Sequence, residues 1–298
     1  MVHTKDLLDI RPSDEGDARH VRFPGELSES VSMLDFKNDR LKLFSVGAGN
    51  MDTPEGEALI KSFDGDTPFT KLVVYSHNDN DAWKKLGFAY EGVIKGYFRD
   101  GGAAHLWARY SEDARGEEDD TSDLDEIVTL ASAKEVQEPS IPQEISTRLA
   151  TEADAERLAA LLNHTFDEYP KELTGESIRK MILSLRAVYR VATTADGSIV
   201  ACAAVELDLG NRNGEVTECA THEDYQGQGL MAYLIRELER DIGNRFGITD
   251  LYSTARAHEV GMNMVLAKLG YEYTGRQINN CRMPRGWESM NIWCRSMA

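Results

Sequence analysis

The stretch that most constrains this chain is Asn213 to Met231, NGEVTECATHEDYQGQGLM. Its first part, Glu215 to Thr221, alternates well enough to form a half-buried strand. A polar turn, His222 to Gln226, follows. Gly227 and Gly229 then make a loop whose backbone can approach a ligand closely. Beyond it, Leu230-Met231, Leu234-Ile235, Leu238 and Ile242 recur at helical spacing, which predicts a helix from about Gly229. The first N–H groups of a helix have no partners within it, and the helix dipole favours negative charge there. Strand, turn, loop and helix together are a ready anion site.

Several architectures share that order. One is a plain strand-turn-helix with glycines used only for the turn. A second is a dinucleotide fold, because Gly227-Gln228-Gly229-Leu230-Met231-Ala232 fits GxGxxA. In that fold the first glycine follows its strand directly, whereas here His222 to Gln226 intervenes. The acidic residue expected to close the second strand is also displaced, since Asp250 stands before Leu251-Tyr252-Ser253. No Gly-Lys-Ser/Thr follows, so a nucleoside-triphosphate loop is excluded. The third is the acetyl-CoA loop of the GNAT acetyltransferases, Arg/Gln-x-x-Gly-x-Gly/Ala after a strand and a short polar turn. Gln226 and Gly229 match it, and Met231 stands where Gly or Ala is usual.

A chain of 298 residues is long for one domain, and two are expected. No apolar run approaches the length of a membrane span, and residues 1–30 have no signal-peptide core, so a cytoplasmic protein is expected. Cys202, Cys219, Cys281 and Cys294 show no paired C-x-x-C, and the seven histidines show no metal spacing. No metal is therefore expected. The net charge of −18 argues against a nucleic-acid partner. Much of it lies in Ser111 to Glu144, where twelve acidic residues face Arg115 and Lys134. That composition reads as a solvated linker, 113–144, with a helix over Ser122 to Val136.

The linker separates two parts. Residues 1–30 lack periodicity and are expected to be partly disordered. Residues 31–112 and 145–298 alternate strands and helices, which gives a mixed α/β sheet of the α+β kind. They also share an internal repeat: Lys85-Leu86-Gly87-Phe88-Ala89-Tyr90-Glu91-Gly92 reads against Lys268-Leu269-Gly270-Tyr271-Glu272-Tyr273-Thr274-Gly275. Each copy has a strand upstream and a tryptophan strand downstream, at Trp107 and Trp293. The first copy has no counterpart of the glycine loop. It reads as a structural or dimerising half that does not bind the cofactor, and a homodimer would suit it.

The element order, the Gln226-x-x-Gly229 loop and Asn263 before Gly270-Tyr271 resemble the GNAT fold. EVTECATHEDYQGQGLM, TARAHEVGMN, GYEYTGRQINN and WESMNIW resemble more closely the β-lysine N-acetyltransferase family. So do AWKKLGF and GYF before the acidic linker, and Met231 fits that family. The resemblance covers most of the chain beyond residue 30. It implies a GNAT fold at 145–298, preceded by a smaller, truncated GNAT-like N-terminal domain. It also implies acetyl transfer from acetyl-CoA to the ε-amine of β-lysine, with a lysine aminomutase as the functional partner that supplies β-lysine. The product would be a compatible solute. Another small amine as acceptor, or a non-catalytic acyl-CoA sensor, remain alternatives; Leu266 stands where many GNAT proteins carry a tyrosine.

The roles follow from that resemblance together with the chemistry of the residue types. Gln226, Gly227, Gln228, Gly229, Leu230 and Met231 would hold the pyrophosphate through backbone N–H groups. The strand edge at Cys219, Ala220 and Thr221 would pair with the pantetheine amides. Asn263 would bond the cofactor or fix the loop. An ammonium near ~10.4 must lose a proton before attack, and Glu218 is the candidate base; its alternative is a solvent-facing or ion-paired carboxylate. Tyr252, Tyr273 or water could protonate the thiolate. Arg256 could clamp the substrate carboxylate, and Asn279-Asn280 could bond amine and carboxylate or simply make a turn. Glu168 and Tyr169 would wall the acceptor site. Cys219 reads as a small core residue rather than a nucleophile, and His164 and His258 as surface or structural residues.

Overall fold

The computed structural model describes residues 18–23, 25–27, 32–65, 67–78, 81–118, 121–166, 173–283 and 286–297. Two units divide the chain. One comprises Met1–Ile94, Ala103–Asp120 and Gly275–Met290, the other Lys95–Gly102, Thr121–Thr274 and Asn291–Ala298. The expected segments 31–112, 113–144 and 145–298 were contiguous, whereas these units interleave. The cause is the final hairpin, whose strands of 12 and 11 residues are about twice the usual length. Its tip belongs to the first unit and its base to the second.

The first unit contains β1 (Ala18–Val21), β2 (Ser32–Asp35), β3 (Arg40–Phe44), α1 (Ala48–Met51), α2 (Pro54–Phe63), β4 (Lys71–Ser76), α3 (Ala82–Lys85), β5 (Ala89–Ile94), β6 (Ala104–Tyr110) and α4 (Asp113–Gly116). The run KLVVYS of β4 is buried along its whole length, as a strand covered on both faces must be. Pro54 opens α2, and the Thr53 hydroxyl accepts from Gly56 N at 3.2 Å. The strands run in the order β1-β2-β3-β4-β6-β5. Phe23, Leu27, Leu34, Leu41, Trp83 and Trp107 share the core. Partial disorder over 1–30 therefore does not extend to β1 or to the buried Phe23 and Leu27, whose short apolar anchors lie too far apart to register as a period. The rest of that stretch lies outside the described residues.

The second unit contains α5 (Ser122–Ser132), β7 (Ser146–Leu149), α6 (Ala155–Thr165), α7 (Gly175–Leu183), β8 (Ala187–Thr193), β9 (Ile199–Asp208), β10 (Asn213–Thr221), α8 (Leu230–Phe246), β11 (Asp250–Arg256) and α9 (Val260–Lys268). It shares β12 (Glu272–Met283) and β13 (Gly286–Ser296) with the first. The strand order is β12-β13-β11-β10-β9-β8-β7. One core joins Val216 to Leu230, Leu234, Leu238 and Ile242 of α8. Another joins Tyr189, Cys202 and Ala220 to Leu158, Leu162 and Ile178 of α6 and α7.

The acidic linker is not simply solvated. Ala131 of α5 is buried in the α8 core and Ile141 packs against it. Gln137 N donates to Lys268 O at 2.9 Å, and Glu138 pairs with Arg240 at 2.6 Å. Its apolar face, Leu124 to Ala131, thus has a partner, which charge counting alone does not show.

The repeat is visible in the sheet. In each copy an antiparallel pair leads into a parallel crossover, then a helix, then a hairpin whose last strand inserts next to the crossover strand. The order is β2-β3-β4-β6-β5 in one and β9-β10-β11-β13-β12 in the other.

Candidate functional site

The site is built around an irregularity in β10. Thr217 pairs with Ala204 of β9, and the next register pair is Ala220 with Cys202. Three steps on β10 thus match two on β9, which makes a bulge at Glu218 and Cys219. Glu218 lies at φ +48°, a left-handed backbone that a residue with a side chain adopts at a strain of order 1 kcal/mol. The extra residue reverses the facing of everything after it. Val216 packs on the α8 side, whereas Ala220, four residues on, packs on the α6 and α7 side. A regular strand would put both on one face.

On its other edge β10 runs parallel to β11. The register pairs Asn213 with Asp250, Gly214 with Leu251 and Glu215 with Tyr252. The Ser253 hydroxyl then donates to Val216 O at 2.8 Å. The ladder stops there, although β10 continues to Thr221 and β11 to Arg256. The strands therefore part beside the bulge, which makes room for an extended amide chain alongside β10.

The glycine loop closes the open end. His222 Nδ1 accepts from Asp224 N at 3.3 Å, Gln226 Nε2 donates to Thr221 O at 3.3 Å, and Gln228 Nε2 donates to Asp224 O at 3.3 Å. Both glutamine side chains therefore brace the loop, which leaves the backbone to face a ligand. Gly227 and Gly229 lie at φ +75° and +80°, and Gly229 is the N-cap of the 17-residue α8. A Cβ at Gly229 would stand 2.8 Å from Ser140 O, so glycine is required for space as well as for φ. In a chain of net charge −18, the first turn of α8 holds no acidic residue. Leu230 is buried and Met231 packs on the core, which fixes the helix start. A pyrophosphate fits this donor set in chemistry and in charge.

The Glu218 side chain points into the α6 and α7 side of the sheet. It is 2% exposed and accepts a hydrogen bond from the Tyr189 hydroxyl of β8. Cys202 Sγ donates to Glu218 O at 3.6 Å. Of the alternatives for Glu218, the solvent-facing one is removed by this burial. Cys219 Sγ donates to Thr217 O at 3.4 Å, and burial pushes its thiol up to about 12. It is a thiol at neutral pH, as a core residue would be.

The remaining candidates fall in different places. Tyr252 lies at the closed end of the strand fork, with its hydroxyl 3.3 Å from Glu215 Oε2 and its ring tilted against Tyr97. Asn263 is fully buried, and its amide is saturated: Nδ2 donates to Arg256 O and Glu259 O at 3.0 and 2.8 Å, and Oδ1 accepts from Asn291 Nδ2 and Trp293 Nε1 at 3.0 and 2.8 Å. Such an amide fixes the turn after β11 and has no bond left for a cofactor. Arg256 is half-buried and pairs with Glu259 at 3.2 Å. Asn279 and Asn280 belong to the first unit and lie within β12, not at a turn. Asn279 Nδ2 donates to Glu117 O at 2.8 Å, and Asn280 Nδ2 donates to Gln277 Oε1 at 2.9 Å. Glu168 and Tyr169 lie outside the described residues.

Two features escape a reading of the sequence. Tyr189 sits in a plain apolar strand, and nothing in AVYRVAT signals a partner two strands away. His164 and His222 are 58 positions apart, yet their rings stack at 5.1 Å, and His164 Nε2 lies 2.9 Å from Glu223 Oε2. Among the described residues this is the group whose side chains could offer a metal three ligands, although His164 and Glu223 are exposed.

Comparison with known proteins places these features. The profile of the Acetyltransferase (GNAT) family matches residues 155–271, which include the bulge, the loop and Asn263. The chain is 30% identical over 261 residues to a beta-lysine N(6)-acetyltransferase of Methanosarcina mazei, covering 80% of this chain and 95% of that protein. It is 32% identical over 230 residues to N-acetyltransferase YodP of Bacillus subtilis, covering 76% of this chain and 82% of that protein. Among solved structures, a ribosomal-protein-S5-alanine acetyltransferase from Vibrio fischeri aligns with a TM-score of 0.46 at 17% identity, covering 54% of this chain and 97% of that one.

Proposed function

The chain belongs to the GNAT acetyltransferase family, and from that premise we propose that it moves acetyl from acetyl-CoA to the ε-amine of β-lysine, giving Nε-acetyl-β-lysine. It is an acyl-CoA N-acyltransferase with acetyl-CoA as co-substrate. The choice of β-lysine is supported by the name of the Methanosarcina relative, matched over 95% of its length. A substrate with its amino group moved along the lysine chain requires an aminomutase reaction to supply it.

The observation that carries the chemistry is Glu218, a buried carboxylate set by a bulge beside parted strands. In the proposal Glu218 accepts the proton of the bound ammonium, which would otherwise stay protonated up to ~10.4. The neutral nitrogen then attacks the thioester carbonyl in a ternary complex; the C–N bond forms and the C–S bond breaks. The thiolate leaves with little assistance, because thiols ionise near ~8.5, and the proton that the attacking nitrogen gives up on becoming an amide can reach the sulfur through water. Backbone N–H groups of Gly227 to Met231 would hold the pyrophosphate, and the edge Cys219 to Thr221 would align the pantetheine amides. Asn263 keeps the turn after β11 in place.

Steady-state rates with β-lysine, lysine, diaminobutyrate and spermidine test the acceptor. β-Lysine should give the highest kcat/KM, and a low rank for it would overturn the substrate assignment. Thiol release from acetyl-CoA at background level with every amine would overturn the enzymatic reading itself.

A further inference from the structure

We propose that Tyr189 is a positioning residue for the acetyl-transfer reaction: its hydroxyl, reaching across β9, holds and aims the Glu218 carboxylate. The inference rests on Glu218 being the base.

The geometry is specific. Tyr189 of β8 registers with Ala204 of β9, and Ala204 registers with Thr217 of β10. The two ends of this row, Tyr189 and the residue after Thr217, are two strands apart. A tyrosine hydroxyl spans that distance only over small side chains. β9 supplies them, because Ala201-Cys202-Ala203-Ala204 is a run of small residues, all fully buried. In a regular strand Glu218 would point to the α8 side with Val216. The bulge turns its side chain onto the face where Tyr189 stands, and the hydroxyl donates to Oε2. The small run, the bulge and the left-handed backbone at Glu218 thus serve one contact.

The chemistry follows from what surrounds the pair. Among the described residues, the titratable groups that act on the pair include Cys202 and Glu206 of β9 and Cys219 of β10. The helices packed on this face contribute Leu158, Leu162 and Ile178, which carry no charge. Burial raises both thiols, so neither ionises in the working range. Burial and the Glu218 charge also push the Tyr189 phenol far above its ordinary value, which keeps its proton available for donation at every working pH. A donor to the charged form of a carboxylate favours that form against the desolvation that opposes it. Only an ionised carboxylate can take the ammonium proton, so loss of a donor to that form should tell on the acid side of the rate profile.

The experiment is the pH profile of kcat/KM for Tyr189→Phe beside Glu218→Gln, both with saturating acetyl-CoA. Tyr189→Phe should move the acid limb upward by about one pH unit, lowering the rate about tenfold below the limb and recovering it at high pH. Glu218→Gln should remove that limb and lower turnover at neutral pH, and Tyr189→Phe added to it should move nothing further. If Glu218→Gln lowers turnover and Tyr189→Phe leaves the limb in place, Tyr189 is only packing and the inference is overturned while the base reading stands. If Glu218→Gln has wild-type rates, the base reading falls and this inference with it. Should Tyr189→Phe fail to fold, a 3-fluorotyrosine placed at 189 keeps the shape and makes a stronger donor. The limb should then move to lower pH, and an unmoved limb overturns the inference.

Discussion

β3 and β4 of the first unit pair in parallel from Arg40 with Lys71 to Phe44 with Tyr75. β10 and β11 of the second begin the same way and stop after Glu215 with Tyr252. The two crossovers occupy equivalent places in the repeat, so the contrast isolates what makes one of them a candidate donor site. In the first copy Ser45 N still donates to Tyr75 O at 2.9 Å, and the ladder has no gap for a ligand. The chain then makes the four-residue α1, and α2 begins with Glu55 and Glu57 in its first turn. An anion would be repelled there. In the second copy one inserted residue ends the ladder, and a longer helix without acid in its first turn follows. One extra residue and two absent carboxylates thus separate a packing element from a candidate ligand cradle on the same topology.

The comparison predicts that lesions in the first copy lower stability and leave kinetics alone, and that lesions in the second do the reverse. The largest effect should come from Glu91→Ala. Lys71 Nζ lies 2.7 Å from Glu91 Oε1, both side chains are almost fully buried, and the Tyr110 hydroxyl donates to the same oxygen. Removing one partner of such a pair should cost about 3–5 kcal/mol in urea unfolding, with the KM for acetyl-CoA unchanged on folded protein. The pH dependence sharpens this. Burial brings the Lys71 amine down to about 8, with Glu91 opposing. Between there and the ordinary 10.5 the unfolded chain binds the proton that the folded one has released. Stability contributed by this group therefore rises with pH across that window, and Lys71→Met should flatten the slope.

Next comes Gly229→Val. A side chain there meets both φ +80° and Ser140 O at 2.8 Å. Distortion of the helix start should raise the KM for acetyl-CoA about tenfold or more, roughly 1.4 kcal/mol of binding. Gly47, which caps α1 after β3, lies at φ −91°, an ordinary conformation. Gly47→Ala should change that KM by less than about twofold, within the range of a neutral surface substitution. Equal effects at the two glycines would break the comparison.

The sequence carried the element order, the repeat and the loop because these depend on local periodicity and on glycine, which act over a few residues. Gly87 and Gly270 stand at the ends of the short helices α3 and α9 as the repeat requires, both at positive φ. Glu218 was legible as a carboxylate on the central strand, but its facing was not. Alternation from Glu215 to Thr221 implies a regular strand, and a bulge preserves the letters while it reverses the faces. Tyr189 and the His164–His222 stack depend on pairing between strands and helices remote in sequence, which no local pattern encodes. Asn279 and Asn280 were chosen as adjacent amides suited to a zwitterion. Their places in β12, bonded to Glu117 O and Gln277, come from a long hairpin that the division into units cuts, and the chain gives no local sign of where the unit changes.

The smallest effect concerns the segment that abuts the cradle. Ser140 stands against Gly229, and two kinds of contact hold its neighbourhood to the second unit. One is ionic: Glu138 pairs with Arg240 at 2.6 Å and with Arg236 at 3.5 Å, but Glu138 and Arg240 are more than half exposed. Exposed pairs contribute about 0.2–1 kcal/mol and are screened by salt. The other is apolar: Ile141 is partly buried against the α8 core, where truncation to a polar residue should cost about 1–2 kcal/mol. Glu138→Ala should therefore lower unfolding stability by less than about 1 kcal/mol, and raising the salt concentration should erase the difference from wild type. Ile141→Ser should lower it more, with no salt dependence. It should also raise the KM for acetyl-CoA modestly, because Ser140 no longer seats beside Gly229. A larger and salt-sensitive loss in Glu138→Ala would mean that the acidity of this segment, rather than its apolar residues, fixes it beside the loop.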